Sequence, residues 1–153
     1  MIEGSLFLIG CSNLPPICFL QETYSTPEVE NVWKKQWKGE MFFSHGTNHS
    51  RGVLILVKDR LDFKLQSVKR DSEGGYILVK ALIEDSPFVL LNIYVPNKST
   101  EQCDFFSKIA EELKSSLTFS DFSLVVGGDF NVIFGKTSME AEVSRKRRNR
   151  SKY

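Results

Sequence analysis

Hydrophobic and polar positions along the chain follow two different periods, which predict a series of strands interrupted by two helices. Short apolar runs without polar alternation, typical of strands buried on both faces, occur at Ile17–Leu20 and Phe122–Val126. Between them, four more strands are predicted at Val53–Val57, Phe63–Arg70, Tyr76–Ile83 and Phe88–Val95. The turn sequences that separate these four are short, so we expect an antiparallel meander, with Phe63–Arg70 near an edge.

Two segments have the signals of helices. Thr26, Pro27 and Glu28 supply a cap, a first-turn proline and a first-turn acid, and predict a helix that runs to about Trp37 before Gly39 ends it. A second helix is predicted to begin at the capping-box sequence Ser99–Gln102, and its apolar positions recur three and four residues apart up to Leu117. The order strand, helix, strands, helix, strand predicts an α/β or α+β arrangement in which helices cover mostly antiparallel sheets.

The composition agrees with a single folded domain and excludes a disordered or collagen-like chain. Of 153 residues, 41% are hydrophobic and 25% are charged. The net charge of +1 hides an asymmetry, because residues 144–153 hold six of the 20 basic side chains and no acid. The remaining 14 basic side chains face 19 acids, so the chain has a mildly acidic body and a basic end.

Cysteine content and hydropathy favour an intracellular protein of the nucleus or cytoplasm. Cys11, Cys18 and Cys103 form neither a CxxC pair nor a zinc-ligand pattern, and an odd, scattered set is typical of reduced thiols. The apolar run Leu6–Ile9 is too short for a signal peptide, and Glu3 stands where such a peptide needs a basic residue. We therefore expect neither secretion nor a membrane partner.

Polar side chains that follow three predicted strands are the main indication of chemistry. They are Glu22 after the first strand, Tyr94 and Asn97 around Pro96, and Asp129 and Asn131 after the last strand. If these strand ends lie side by side, their oxygen atoms suit a hard cation such as Mg²⁺ and, through it, phosphoester hydrolysis. Taken singly, each residue also fits a solvated strand end, a half-buried sheet aromatic or a turn.

Other candidates have simpler interpretations. His45 and His49 fall in a polar loop with no Asp or Ser partner evident in the sequence, so a nucleophilic triad is not predicted. Trp33 and Trp37 lie four residues apart on the first helix and indicate a packed helical face.

Four motifs, in this order, resemble the endonuclease/exonuclease/phosphatase superfamily. They are Cys18–Thr23 (CFLQET), Ser50–Val53 (SRGV), Asn92–Asn97 (NIYVPN) and Gly127–Asn131 (GGDFN). The segments Phe42–Gly46 and Lys69–Gly74 look most like the apurinic-type endonuclease domain of LINE-type non-LTR retrotransposons. The resemblance covers about residues 17–134, preceded by a non-matching segment 1–16 and followed by a basic tail 135–153.

This resemblance implies a four-layered α/β sandwich with two central sheets, and a nuclease dependent on Mg²⁺ or Mn²⁺ that nicks DNA to leave a 3′-hydroxyl. By residue-by-residue match, Glu22 is implied to bind the metal, Tyr94 to line the phosphate site and Asn97 to be the neighbouring active-site asparagine. Asp129 is implied to act at the reacting oxygens and Asn131 to orient the phosphate. Arg51 and the tail residues Arg145, Lys146, Arg147 and Arg148 are further candidates for contact with nucleic acid.

The chain departs from the family at both ends. The family begins with a strand that carries a metal-supporting asparagine and closes with a Ser-Asp-His segment, whereas this chain has no histidine after His49. We therefore expect an incomplete domain of a retrotransposon polyprotein that also contains a reverse transcriptase, with weak or absent catalysis. We also expect an exposed sheet edge and a sticky or marginally stable protein.

Three alternatives stay open at this point. The first is a phosphatase of the same superfamily that acts on inositol lipids or sphingolipids, which the SRGV region disfavours. The second is a non-catalytic fragment that at most binds nucleic acid through its basic tail, although such a tail is more often a disordered or localisation segment. The third is a decayed reading frame without a selected role.

Overall fold

Two β-sheets, each covered on its outer side by one helix, make up the computed structural model, which describes residues 14–117 and 121–132. The elements are β1 (Ile17–Leu20), α1 (Pro27–Gln36), β2 (Gly39–Ser44), β3 (Val53–Lys58), β4 (Phe63–Arg70), β5 (Tyr76–Ile83), β6 (Ser86–Tyr94), α2 (Ser99–Leu117) and β7 (Ser123–Asp129). Neither helix is long and apolar enough to cross a membrane. All eight elements predicted from the sequence are present, with ends shifted by at most a few residues.

The first sheet has the strand order β1-β3-β2 and the second has the order β4-β5-β6-β7. All neighbours are antiparallel except β6 and β7, which α2 connects as a parallel pair. The predicted meander is therefore correct for β4, β5 and β6 but wrong for β3, which pairs with β1 and β2 in the other sheet. The position of β4 at an edge is confirmed.

One strand, β2, was not predicted. Its sequence directly follows α1, and its hydrophobic and polar residues do not alternate clearly. The sequence pattern therefore indicates only the end of a helix followed by a polar loop. Gly39 joins the two elements with φ of +137°, and a Cβ atom there would lie 2.0 Å from the Val57 carbonyl oxygen. Glycine is therefore required where the chain leaves α1 and enters β2 against β3.

Three apolar cores separate four layers, which confirms the layered sandwich. Along β3, Leu54 and Leu56 pack toward α1, whereas Val53, Ile55 and Val57 pack toward the second sheet. The third core lies between the second sheet and α2. Because central strands such as β3 and β5 are covered on both faces, their sequences are nearly continuous apolar runs.

The two tryptophans of α1 confirm the packed-face interpretation. Trp33 and Trp37 are both buried in the core between α1 and the first sheet. The indole nitrogen of Trp37 donates a hydrogen bond of 3.1 Å to the carbonyl oxygen of Val57. This bond gives the one polar atom of the ring a partner in an otherwise apolar layer.

Asn92 of β6 is fully buried although its side chain is polar. Its amide nitrogen donates to the carbonyl oxygens of Leu20 at 2.9 Å and Leu54 at 3.0 Å, so it joins β6 to both β1 and β3. Its side-chain oxygen accepts a hydrogen bond of 2.7 Å from the amide of Gln21. A buried amide is tolerated only with such partners, so these bonds fix how the two sheets lie against each other.

The sandwich has an exposed side at β7. Among the described residues, β7 pairs with β6 alone. Leu124, Val125 and Val126 are each about two-fifths exposed. An unpaired strand edge with apolar side chains and no lysine is prone to pair with another chain. The expected exposed edge is therefore present in the described part of the chain.

We predict that Asn92→Leu lowers the free energy of unfolding by about 2–5 kcal/mol, because the carbonyl oxygens of Leu20 and Leu54 lose their donor in a buried setting. Urea unfolding followed by circular dichroism measures the change. Asn31→Leu, an exposed position on α1, is the matched control and should change the free energy of unfolding little. Equal stability of the two variants would contradict the structural importance of Asn92.

We predict that Val125→Lys reduces self-association of the protein, because a lysine on an edge strand opposes pairing with a second strand. Light scattering at increasing protein concentration measures the effect. Val32→Lys, at an exposed apolar position of α1, adds the same charge away from the edge and should not reduce association. If both variants behave alike, net charge and not the β7 edge controls solubility.

Candidate active site

A five-residue loop after β1, Gln21–Ser25, carries Glu22 in an unusual backbone conformation. Glu22 and Tyr24 both have φ near +50°, in the left-handed region that non-glycine residues seldom adopt. Such residues cost of order 1 kcal/mol each and persist when their surroundings hold them. Here the Thr23 amide donates to Gly52 O at 3.1 Å and the Tyr24 amide to Arg51 O at 3.0 Å. The SRGV motif thus holds the loop that presents Glu22.

Glu22 and Tyr94 meet across the two sheets, although 72 residues separate them. The phenol oxygen of Tyr94 donates a hydrogen bond of 2.6 Å to Oε1 of Glu22. This bond, with partial burial, raises the pKa of the Tyr94 phenol above its ordinary value. The raised pKa means that the interaction stabilises the fold below the ordinary tyrosine pKa of about 10, and that this stabilisation is lost as pH rises through the higher folded-state pKa.

Asp129 comes beside Tyr94 because β7 runs parallel to β6. The two residues are partners in the strand register, and the Val95 amide donates to the Asp129 carbonyl at 2.9 Å. The backbone amide of Asn131 donates to Oδ1 of Asp129 at 3.0 Å, and the side-chain amide of Asn131 donates to the Val95 carbonyl oxygen at 2.7 Å. Asn131 also donates toward the Tyr94 phenol and so lowers its pKa, against the larger raising effect of Glu22.

The two glycines before Asp129 are explained by close packing. A Cβ atom on Gly127 would lie 2.3 Å from the ring of Phe19 in β1, and one on Gly128 would lie 2.0 Å from the carbonyl oxygen of Ile93. Gly128 also has φ of +147°. Gly127 and Gly128 are therefore required where the backbone approaches its neighbours closely. This close approach brings the end of β7 against both β1 and β6.

A groove of about 350 Å³ opens beside Glu22 and Tyr94. Its walls include Glu22, His49, Arg51, Tyr94, Asn97 and Lys98. The structure therefore brings together Glu22, Tyr94 and Asn97 in one groove and places Asp129 and Asn131 next to Tyr94. Arg145, Lys146, Arg147 and Arg148 lie outside the described residues.

Arg51 stands between this groove and a second one of about 320 Å³. Its guanidinium forms an exposed ion pair of 2.5 Å with Glu73. Its backbone also adopts a left-handed φ of +61°, and its carbonyl oxygen holds Tyr24. Arg51 therefore has a structural task through its backbone, while its side chain lines both grooves.

The donor atoms at this site suit a hard cation. Carboxylates and amides are present, and Mg²⁺ is commonly held by one or two carboxylates together with water and phosphate oxygens. Within residues 14–117 and 121–132, no three His, Cys, Asp or Glu side chains are grouped as a complete metal-binding cluster. The residues thus fit an ion bound mainly through one protein carboxylate, and they do not form a closed structural metal site.

The histidine interpretation needs correction. His45 does have partners: its Nδ1 lies 3.0 Å from the Ser25 hydroxyl and its Nε2 lies 2.9 Å from the Glu30 carboxylate. These partners come from the loop after β1 and from α1, so sequence spacing did not reveal them. Ser25 is fully buried, so its hydroxyl is a structural contact and does not form an accessible nucleophile.

Two amide side chains were also missed as parts of the site. Gln21, next to Glu22, bonds to Asn92. Gln102, in the first turn of α2, donates to the carbonyl oxygens of Pro96 at 2.9 Å and Asn131 at 3.2 Å. Gln21 lies in the CFLQET motif and Asn92 in the NIYVPN motif, but only the packing of the two sheets shows what their side chains contact.

A sequence relative links the chain to a mobile element. No protein-family model matches this chain. Over 115 residues it is 34% identical to the Transposon TX1 uncharacterized 149 kDa protein of Xenopus laevis, covering 75% of this chain and 9% of that protein. The chain thus corresponds to a small part of its relative.

Solved structures share the fold. An endonuclease/exonuclease/phosphatase family protein from Bacteroides thetaiotaomicron aligns with a TM-score of 0.61 and 14% identity, over 85% of this chain and 55% of that one. TDP2 of D. rerio, complexed with a single strand DNA product, aligns with a TM-score of 0.56 and 16% identity, over 86% of this chain and 51% of that one. The chain spans about half the length of these proteins.

The sequence comparison and the structure comparison are consistent with each other. The relative over 115 residues is a transposon protein, and the two sheets with their covering helices match solved members of one fold family. The resemblance stated from the sequence motifs is confirmed: this chain has the endonuclease/exonuclease/phosphatase fold and is related in sequence to a transposon-encoded protein.

Proposed function

We propose that the chain is the core of a divalent-metal-dependent DNA endonuclease domain of the LINE type. The observation that carries this proposal is the Glu22–Tyr94 hydrogen bond, with Asp129 beside Tyr94 at the same end of the sandwich. The single strand DNA product complexed with D. rerio TDP2 and the transposon relative support DNA as the substrate class. A reverse transcriptase in the parent polyprotein remains part of this proposal.

Each residue has a role that its position allows. Glu22 would hold Mg²⁺ or Mn²⁺ through its exposed carboxylate. When bound, the ion supplies positive charge that neutralises the phosphate in the transition state. Asn97 lies on the wall of the same groove, where its neutral amide can contact a phosphate oxygen without repelling a cation.

Asp129 and Tyr94 are suited to proton transfer and hydrogen bonding at the phosphate. The Asp129 carboxylate is exposed, and the amide of Asn131 fixes one of its oxygens, so the other can accept a proton from an attacking water. The Tyr94 phenol stays protonated at neutral pH, and in this structure it donates its one proton to Glu22. Asn131 fixes the geometry of both neighbours.

The activity of these 153 residues alone is proposed to be weak. The resemblance implies a histidine that contacts the scissile phosphate, and no histidine follows His49 in the chain. Loss of one such donor costs roughly 10²–10³-fold in rate in comparable sites, because transition-state charge is left unneutralised.

We predict that the protein nicks supercoiled plasmid slowly when Mg²⁺ or Mn²⁺ is present, and that chelation stops the reaction. Glu22→Ala and Asp129→Ala should each lower the nicking rate by at least about 100-fold, because they remove the metal ligand and the proton acceptor. Gel analysis of nicked circles measures the rate. Glu111→Ala, an exposed acid on α2, is the matched control. Equal rates in all four proteins would refute the endonuclease proposal.

A second candidate function rests on the six basic residues within residues 144–153. We propose, as the alternative, that this segment binds nucleic acid without catalysis, by neutralising several phosphates. We predict that deletion of residues 144–153 abolishes DNA binding measured by fluorescence anisotropy, and that the affinity of the full chain falls steeply with added salt. DNA binding that survives the deletion would contradict the role of the tail and would favour the groove beside Tyr94 as the binding site.

A further inference from the structure

Gln21, which is partly buried, and Asn92, which is fully buried, form an amide pair next to the candidate site. The Gln21 amide donates to Asn92 Oδ1 at 2.7 Å, while Asn92 Nδ2 donates to the carbonyl oxygens of Leu20 and Leu54. Both the donor and the acceptor ends of the Asn92 amide are therefore engaged. A rotated amide would turn its oxygen toward two carbonyl oxygens, so the observed orientation is fixed.

The pair runs beside the contact between Glu22 and Tyr94. Asn92 and Tyr94 are two residues apart on β6 and so face the first sheet together. Gln21 and Glu22 are consecutive, and in an extended strand their side chains would point to opposite faces. The left-handed φ of +50° at Glu22 breaks this alternation, so that both side chains contact the same face of β6.

This conformation needs support on both sides of Glu22. On the C-terminal side, the amides of Thr23 and Tyr24 are held by the carbonyl oxygens of Gly52 and Arg51. On the N-terminal side, the contacts come from Asn92, which binds the Leu20 carbonyl and the Gln21 side chain. A strained residue keeps its conformation when the surrounding structure fixes it from both directions.

We propose that Gln21 and Asn92 are positioning residues, whose amide pair holds the loop after β1 so that the Glu22 carboxylate stays at Tyr94. The proposal rests on the proposed role of Glu22 as the metal-binding carboxylate. The hydrogen bonds that support a metal-binding or catalytic group typically change metal affinity or activity by about 10- to 100-fold when removed.

The test uses Gln21→Met, which keeps the length of the side chain and removes its donor. Gln36→Met, at an exposed position of α1, is the matched control. The readout is the pKa of the Tyr94 phenol in the full chain, measured by NMR on carbon-labelled tyrosine and assigned with Tyr94→Phe. Glu22→Gln gives the reference value for a phenol that has lost the carboxylate.

We expect the Tyr94 pKa of Gln21→Met to fall toward that of Glu22→Gln, while Gln36→Met keeps the wild-type value. Urea unfolding confirms that Gln21→Met is folded, and Gln21→Ala replaces it if it is not. A wild-type Tyr94 pKa in the folded Gln21 variant would overturn the positioning role. Because this readout needs neither metal nor DNA, it decides the proposal even if the wild-type protein fails to nick.

If the wild-type protein does nick plasmid, Gln21→Met should lower the rate by about 10- to 100-fold at limiting Mg²⁺. A higher Mg²⁺ concentration should recover part of the lost rate. The misplaced Glu22 carboxylate weakens metal binding, whereas the position of Asp129 changes less. Nicking at the wild-type rate at every Mg²⁺ concentration would refute the positioning role while leaving the endonuclease proposal intact.

Discussion

The site depends on a buried amide between two apolar sheets. Asn92 is fully buried, and its partners come from β1 and β3 in the other sheet. Apolar packing is tolerant of small displacements, because dispersion contacts have no strict direction. Hydrogen bonds in a buried setting are directional and costly to lose, so Asn92 fixes the offset between the sheets. That offset decides whether the end of β1 meets the end of β6.

A second constraint brings β7 to the same place. The crossover through α2 makes β7 parallel to β6, so both strands end on the same side of the sandwich. The glycines at 127 and 128 then allow β7 to approach the ring of Phe19 and the backbone of Ile93. Gln102 at the start of α2 holds the segment that follows β7. The polar ends of three strands converge for these reasons.

The chemistry of the site follows from where these constraints leave the side chains. Glu22 and Asp129 remain exposed, so both carboxylates keep contact with solvent. Glu22 also lines the groove beside Tyr94. Tyr94 connects the two sheets through its ring, which packs in the core, and through its hydroxyl, which binds Glu22. The left-handed residue Glu22 lies between hydrogen bonds that hold the loop on both sides, as is common for strained residues at functional sites.

The sequence alone determined most of the elements and supplied the candidate site residues. Apolar runs predicted six of the seven strands, helix signals predicted both helices, and the four motifs predicted the fold and the group of Glu22, Tyr94, Asn97, Asp129 and Asn131. These features are local or are carried by short motifs. By contrast, β2 was missed because its pattern merges with the end of α1, and β3 was placed in the wrong sheet because turn length does not specify a sheet.

Only the tertiary structure decided which side chains touch. The partners of His45 come from α1 and from the loop after β1, and the pairing of Gln21 with Asn92 spans 71 residues. Such contacts depend on the offset of two packed sheets and on a left-handed residue that reverses strand alternation. Neither leaves a periodic trace in the sequence, because both arise from packing between segments that are distant along the chain.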